Sequence, residues 1–547
     1  MLSFFALIVA MFITMMLIPP LMKSAQRYSF VDMPNERKVH TTPVPRIGGV
    51  AMVAGAVTPI LLWIEPSHQV LSLLYGMGVI LFFGVWDDRV GLDFRIKFLG
   101  QLIAVGVAVF YGDVVIRQVP FHSFEPIPDY LAVPLSIFAL LGITNAINLA
   151  DGLDGLAGGT TLLSIGMVSL LAYTMHDAAL FVMAMAVMGS IIGFLRYNTY
   201  PAQIFMGDGG SQFLGFATGV LVILLTQKSG AVLSPAMPLL LLGLPLMDTF
   251  LVMGQRIYEG RSPFQPDKNH VHHKLLHLGF DHYEAVVIIY SLQAVLVMLA
   301  YVLRYRADAL NLGAFAIAFA GLWGVFRIAN QRGLRAQLAR VAERPSPLSR
   351  LANGLKRSGM LGRVPVLVAC ITIPVYCTIG ILATTEFPND APLTANILLV
   401  ATLAQLVLLR RQPVFLLIER LTLYVTLTTL VFYTERGLVH GTWVSHLDAT
   451  YFGLLGLLLL MTYRFTRNRT FNVTPTDFLV IVIALIVSSL SASIFPQNNI
   501  SEIAIKVLIL FYAAELIVSH ARENLWLLRV ISASIVGVLA LRVAMAF

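Results

Sequence analysis

Long apolar stretches recur along this chain at the length needed to cross a lipid bilayer. About eleven lie before residue 330, centred near residues 12, 56, 78, 104, 140, 165, 186, 219, 243, 293 and 318. Inside a bilayer no water is at hand to bond the backbone, so every N–H and C=O must pair within the segment and each stretch folds as a helix. A spanning barrel would show short alternating segments instead. Composition agrees: the chain is 58% hydrophobic and 12% charged, about half the charged fraction of a soluble domain. The expected fold class is an all-α integral membrane protein, a polytopic helical bundle of about eleven spans with about seven more after residue 363. Residues 2 to 22 are expected to remain as a first span. No Lys or Arg precedes Lys23, and no small-residue cleavage site follows the run. Cys370 and Cys377 fall seven apart in one expected span. About 10 Å of helical rise separates them, too far for a disulfide, and they read as small core residues.

Between the two sets of runs lies a break from Arg327 to Arg363, with nine Lys or Arg and one Glu. This divides the chain into a membrane domain at 1–330, a basic cytoplasmic linker or surface helix at 331–363, and a C-terminal transmembrane extension at 364–547. No sequence repeat relates the two halves.

Cations mark the cytoplasmic side of a membrane protein. Lys23, Arg27, Arg37, Lys38 and Arg46 follow the first run. Arg89, Arg95 and Lys97 follow the third, and Arg256, Arg261, Lys268 and Lys274 follow the ninth. The even-numbered exits are mostly poor in cations, with Arg304 and Arg306 a minor exception. The N-terminus is therefore expected outside and the odd-numbered exits in the cytoplasm. The formal charge of +8 is a matter of loop topology and does not imply a nucleic-acid partner.

That orientation gathers the polar oddities on one face. "VDMPNERKVHTTPVPRIGG" follows the first run, "WDDRVGLDFRIKFLGQ" the third and "NAINLADGLDGLAGG" the fifth. "RYNTYPAQIFMGDGGSQ" follows the seventh and "GQRIYEGRSPFQPDKNHVHHKLLHLG" the ninth. Asp87, Asp88, Asp151, Asp154 and Asp208 would repel one another there unless a cation joined them. Oxygen-only ligands suit a hard ion, Mg²⁺ or Mn²⁺, which also takes phosphate oxygens. Asp151 and Asp154, at i and i+3, share one face if their turn is helical. Asp87 and Asp88 are neighbours and point different ways. The glycines around Asp151, Asp154 and Asp208 let backbone N–H groups approach a phosphate closely. The competing reading is a set of ordinary cap and loop aspartates, which five of them on one face make hard to sustain. The "HVHH" histidines have no nearby Cys to complete a zinc site. Recognition of phosphate, or of a leaving diphosphate, suits them better. Phe205, just before Asp208, is a candidate to stack on a base, the alternative being a core side chain beside a span.

These five motifs, in this order and spacing, resemble the polyprenyl-phosphate N-acetylhexosamine-1-phosphate transferases, over roughly residues 1 to 330. The "PDKNHVHH" form is similar to the branch that transfers N-acetylglucosamine-1-phosphate. The muramoyl-pentapeptide branch carries three consecutive histidines, and Val271 interrupts the run here. The resemblance implies that a UDP-N-acetylhexosamine gives its sugar-1-phosphate to undecaprenyl phosphate or a similar polyprenyl phosphate, and UMP leaves. The product would start a lipid-linked glycan such as O-antigen, lipopolysaccharide, cell-wall polymer or exopolysaccharide. The implied site comprises Asp208 and Asp151 on the metal, Mg²⁺ with Mn²⁺ as the substitute. The implied catalytic set is Asp87, Asp88, Asp151, Asp154, His270, His272 and His273, with Asp87 deprotonating or positioning the lipid phosphate. Asn148 lies around the nucleotide sugar, Asn198 and Phe205 in a uridine pocket, and Lys38 and Lys97 beside phosphate. Arg256 and Arg261 are candidate diphosphate clamps. The implied setting is the inner membrane of a bacterium, among membrane lipids, with the site on the cytoplasmic face. The extension departs from the family pattern. It is a candidate dock for later pathway enzymes, and a homodimer is a further candidate assembly. The rivals are a transporter of divalent cations or anionic solutes, whose coupling acids should lie near mid-span, and a polyprenyl diphosphate hydrolase, with water as acceptor.

Overall fold

The computed structural model describes residues 2–27, 30–32, 43–122, 125–227, 233–262, 269–331, 360–384, 387, 391–407, 413–437, 448, 450–459, 479–483, 486, 500–520 and 525–546. The chain divides into two compact units, one comprising Met1–Ala342 with Thr474–Leu479 and the other Glu343–Val473 with Val480–Phe547. Nine helices among the described residues are long and apolar enough to cross a bilayer, all between Phe5 and Ala329. This is a multi-pass helical membrane protein.

The first unit runs α1 (Leu2–Arg27), β1 (Val31–Asp32), β2 (Val44–Pro45), α2 (Gly48–Trp63), α3 (His68–Val90) and α4 (Phe94–Gly106), which widens into a π-turn at Val107–Tyr111. It continues with α5 (Asp129–Leu149), α6 (Leu156–Thr174), α7 (Ala178–Asn198), α8 (Gly207–Gln227), α9 (Met237–Leu241), α10 (Gly243–Tyr258), α11 (Val271–Leu278), α12 (His282–Leu303) and α13 (Asp308–Gln331). Sequence chemistry sets several starts. Ser67 and Asp177 accept from Val70 and Leu180 backbone N–H groups to cap α3 and α7. Asp281 and Glu284 close a reciprocal capping box on α12. Among the described residues the one exception to an all-α chain is the antiparallel pair β1–β2, two residues on each side, which the apolar pattern did not foretell.

The centre of the bundle is α8. In its most apolar window 94% of residues are buried, against α2, α3, α5, α6, α7 and α9. Small residues in "GDGGSQFLGFATG" permit that crowding. Around it α1 packs on α7 and α2, α3 on α4, and α6 on α7 and α12.

Eleven runs were expected before residue 330, and two are not full-length spans. One is α2, with 16 residues. The other, near residue 243, breaks at Leu242 into α9 and α10. Pro245 explains the break: it has no N–H to give the carbonyl of Leu241 one turn back. That carbonyl instead accepts from Ser164 Oγ at 2.8 Å and Gln293 Nε2 at 2.8 Å. Gln293 Oε1 in turn accepts from Leu244 N–H at 3.0 Å. One buried amide on α12 therefore closes the backbone gap.

The second unit contains helices at Met360–Ala383, Ala391–Val407, Pro413–Gly437, Thr450–Leu459, Ile500–His520 and Leu525–Ala546. About seven runs were expected there; residues 460–478 and 487–499 lie outside the described residues, as does the basic stretch at 332–359. Ile373, Cys377, Leu430, Val431, Leu510 and Val536 form its core. Lys506 is buried there and pairs with Glu435 and Asp448, and Tyr376 donates to Asp448 at 2.8 Å. Cys370 and Cys377 are both free thiols.

Replacing Gln293 with Ala should strand the Leu241 carbonyl and the Leu244 N–H. A cost of roughly 1–3 kcal/mol is expected, read as a lower thermal midpoint of the detergent-purified protein.

Candidate active site

The third span ends in two neighbouring acids that part company. Asp87 turns inward, 7% exposed. It accepts from Leu92 N–H at 2.7 Å and from Lys97 Nζ at 2.5 Å. Asp88 turns to the start of α8 and accepts from the N–H groups of Asp208 at 3.1 Å and Gly209 at 3.5 Å. An anion at a helix N-terminus meets unpaired N–H donors and the positive end of the dipole. Lys97, reaching from the first turn of α4, also bonds Asp208 Oδ2 at 3.2 Å. One ammonium therefore bridges carboxylates from two distant motifs. Gly207 makes the approach possible. Its φ is +70°, and a Cβ there would lie 2.3 Å from Asp88 Oδ2, so no other residue fits.

The loop between α5 and α6 lies on the same cluster. Asn148 Oδ1 accepts from Ser211 Oγ on α8 at 2.6 Å. The Asp151 carboxyl is pushed up to about 7, first by burial and then by the negative charges of Asp208, Asp154 and Asp88, with Arg46 opposing. Four carboxylates thus share one neighbourhood and raise each other's proton affinity. Asp154 accepts from Ala202 N–H at 2.9 Å. Asn198, 2% exposed, accepts from Gly155 N–H at 2.9 Å and donates to the Ile204 carbonyl at 2.8 Å. Its amide is engaged at both ends by backbone, so it shapes the pocket wall. Tyr290 on α12 donates to the Gly155 carbonyl at 2.7 Å.

The histidines close another side. His270 precedes α11, with Nδ1 2.8 Å from Asp248 Oδ2. His272 lies parallel to it, ring centroids 5.7 Å apart, and packs on Gly152, where a Cβ would come within 2.1 Å of Nε2. Burial, with His273 next, pushes the His272 imidazole down to about 3 despite Asp248. It is therefore neutral near pH 7 and can offer a phosphate one N–H, not a charge. His273 tilts against His272 at 4.2 Å.

The β1–β2 pair docks the first loop. Phe205 N–H bonds the Pro45 carbonyl, and the Phe205 and Met206 carbonyls accept from Gly48 and Gly49. The Phe205 side chain is half-buried. Arg46 Nε pairs with Asp32 at 3.1 Å. Arg256 is buried in α10, and Arg261 pairs with Glu259 just beyond that helix. Lys38 lies outside the described residues. Segments following the first, third, fifth, seventh and ninth runs are thus bonded into one site. Arg46, Ser211, Asp248 and Tyr290 also belong to it without having been singled out from the sequence. For Asp248 a signal existed, an acid inside an apolar run.

Among the described residues no three His, Cys, Asp or Glu side chains are set to hold a metal ion together. Mg²⁺ is commonly held by one or two carboxylates, with water and phosphate oxygens completing its shell. The donor set here, acid-rich with mutually raised proton affinity, fits that pattern. Gly207→Ala should lower turnover by at least about 100-fold, since small displacements at a reacting centre cost that much. Gly78→Ala, with nothing within 4 Å of the added Cβ, should leave turnover unchanged.

A family model described as glycosyl transferase family 4 matches residues 70–226. A protein of Bacillus subtilis named as a probable undecaprenyl-phosphate N-acetylglucosaminyl 1-phosphate transferase is 35% identical over 306 residues, covering 55% of this chain and 85% of that protein. A decaprenyl-phosphate N-acetylglucosaminephosphotransferase of Mycobacterium leprae is 34% identical over 300 residues, 49% of this chain and 75% of that one. The undecaprenyl-phosphate alpha-N-acetylglucosaminyl 1-phosphate transferase of Escherichia coli K12 is 30% identical over 290 residues, 52% and 79% of the two chains. With these relatives matched over most of their length, the chain belongs to glycosyl transferase family 4, the polyprenyl-phosphate N-acetylhexosamine-1-phosphate transferases.

Proposed function

We propose that this protein transfers N-acetylglucosamine-1-phosphate from UDP-N-acetylglucosamine to undecaprenyl phosphate or a similar polyprenyl phosphate, releasing UMP. The names of the relatives support the substrates. The observation that carries the reading is the Asp87–Lys97–Asp208 bridge beside Asp88 and Asp151. It is an acid-rich site at helix ends, where a membrane-anchored phosphate can meet a soluble diphosphate. The transporter and hydrolase readings fall away, since the relatives are named as transferases.

Asp208 and Asp151 are the residues that would hold Mg²⁺, which supplies charge neutralisation between two phosphate-bearing reactants. Lys97 keeps Asp87 and Asp208 in register and adds a positive charge beside the incoming phosphates. Asp87, fixed by Lys97 and Leu92, positions the lipid phosphate as acceptor. Asn198 and Asp154 hold the loop over the nucleotide. His270 and His272 line the phosphate side. The acceptor oxygen attacks the sugar-bearing phosphorus in line and the bond to the UMP oxygen breaks, with no covalent enzyme intermediate. The basic loops support a site on the cytoplasmic face of a bacterial inner membrane, with the N-terminus outside.

Purified protein given Mg²⁺, polyprenyl phosphate and a panel of UDP-N-acetylhexosamines should release UMP and form lipid-linked sugar, fastest with UDP-N-acetylglucosamine. EDTA and Asp208→Asn should each abolish both products. A phospho-sugar adduct trapped on the enzyme would refute direct transfer. The second unit we assign to scaffolding or partner docking. A chain ending near residue 345, which keeps all of the first compact unit except Thr474–Leu479, should keep its turnover in the same assay.

A further inference from the structure

Asp248 is an acid in the middle of the apolar ninth run, 7% exposed. A buried carboxylate is costly unless it is bonded, and this one is bonded twice to a single segment. Oδ1 accepts from Val271 N–H at 2.7 Å, and Oδ2 faces His270 Nδ1 at 2.8 Å. An ionised carboxylate can only accept, so Nδ1 carries the proton and Nε2 is the nitrogen left for a ligand. His270 stacks parallel to His272, which lies on Gly152, next to Asp151. The acid is therefore two rings away from the carboxylate cluster. Its own helix begins at the break that Gln293 closes, so its position is set by backbone bonds to α12.

We propose that Asp248 is a positioning residue: it locks His270 in the Nδ1–H form and pins the start of α11, so that His270 Nε2 and His272 face the anionic oxygens of the transferred sugar-phosphate. This rests on the transferase reading above. The carboxylate touches no reactant, and its effect on turnover passes through His270.

A double-mutant cycle on the full chain tests it, with UMP release from UDP-N-acetylglucosamine as the readout. Asp248→Asn keeps the size of the side chain and can still accept from Val271, yet it presents N–H where the imidazole N–H pointed. Alone it should lower kcat roughly 10–100-fold, the usual effect of losing a histidine's orienting carboxylate, with KM and the thermal midpoint unchanged. In a His270→Gln background the same substitution should cost nothing further. Costs that multiply, or a single variant with full kcat, would overturn the proposal. If Asp248→Asn does not fold, Asp248→Glu takes its place in the cycle, with the same criterion. Wild-type protein that releases no UMP from any UDP-N-acetylhexosamine would sink the transferase reading itself, before any variant is compared.

Discussion

Crowded negative charge beside a membrane is the constraint on which this structure depends. Asp88, Asp154 and Asp208 lie close enough to Asp151 to raise its proton affinity. Like charges brought together this way repel. The chain answers with fixed positive groups. Lys97 bridges Asp87 and Asp208, Arg46 opposes from the β2 end, and the N–H groups opening α8 receive Asp88. The remaining charge matches what an incoming cation and its phosphates would need. The central place of α8 follows from this: its N-terminus must meet three other segments, which requires glycine at Gly207 and small residues along its length.

Much of the polar chemistry around the site serves to hold backbone in place. Asn198 joins Gly155 to Ile204, Tyr290 holds the Gly155 carbonyl and Gln293 closes the break between α9 and α10. Each of these groups is buried, where an unpaired backbone group has no water to turn to. Loops that would otherwise flex are tied to helices at both ends. The same logic separates His270 from His272. One is oriented by a carboxylate, while the other is neutral, packed between its neighbour and a glycine. The second unit uses buried charge differently, with Lys506 enclosed by Glu435 and Asp448. Removing Lys506 would leave two buried carboxylates without their cation.

The sequence by itself determined the helical, membrane-spanning class, because apolar runs of bilayer length have no other way to satisfy their backbone. It also indicated which polar segments come together. Asp, His and Gly clustered at alternate exits, and their motif order sufficed to indicate the family. Ten of eleven early runs could be read as single helices for the same reason. The ninth could not, since a proline in an apolar run signals a break without saying what closes it. Tertiary structure alone decided that Gln293 does so, that Asp87 and Asp88 face different partners, and that Asn198 bonds backbone at both ends. It alone paired Asp248 with His270, and it added the short β1–β2 pair that docks Arg46. These are contacts between residues far apart in the chain. Local propensity and periodicity are blind to them, because their energy depends on where another segment's donor or charge arrives.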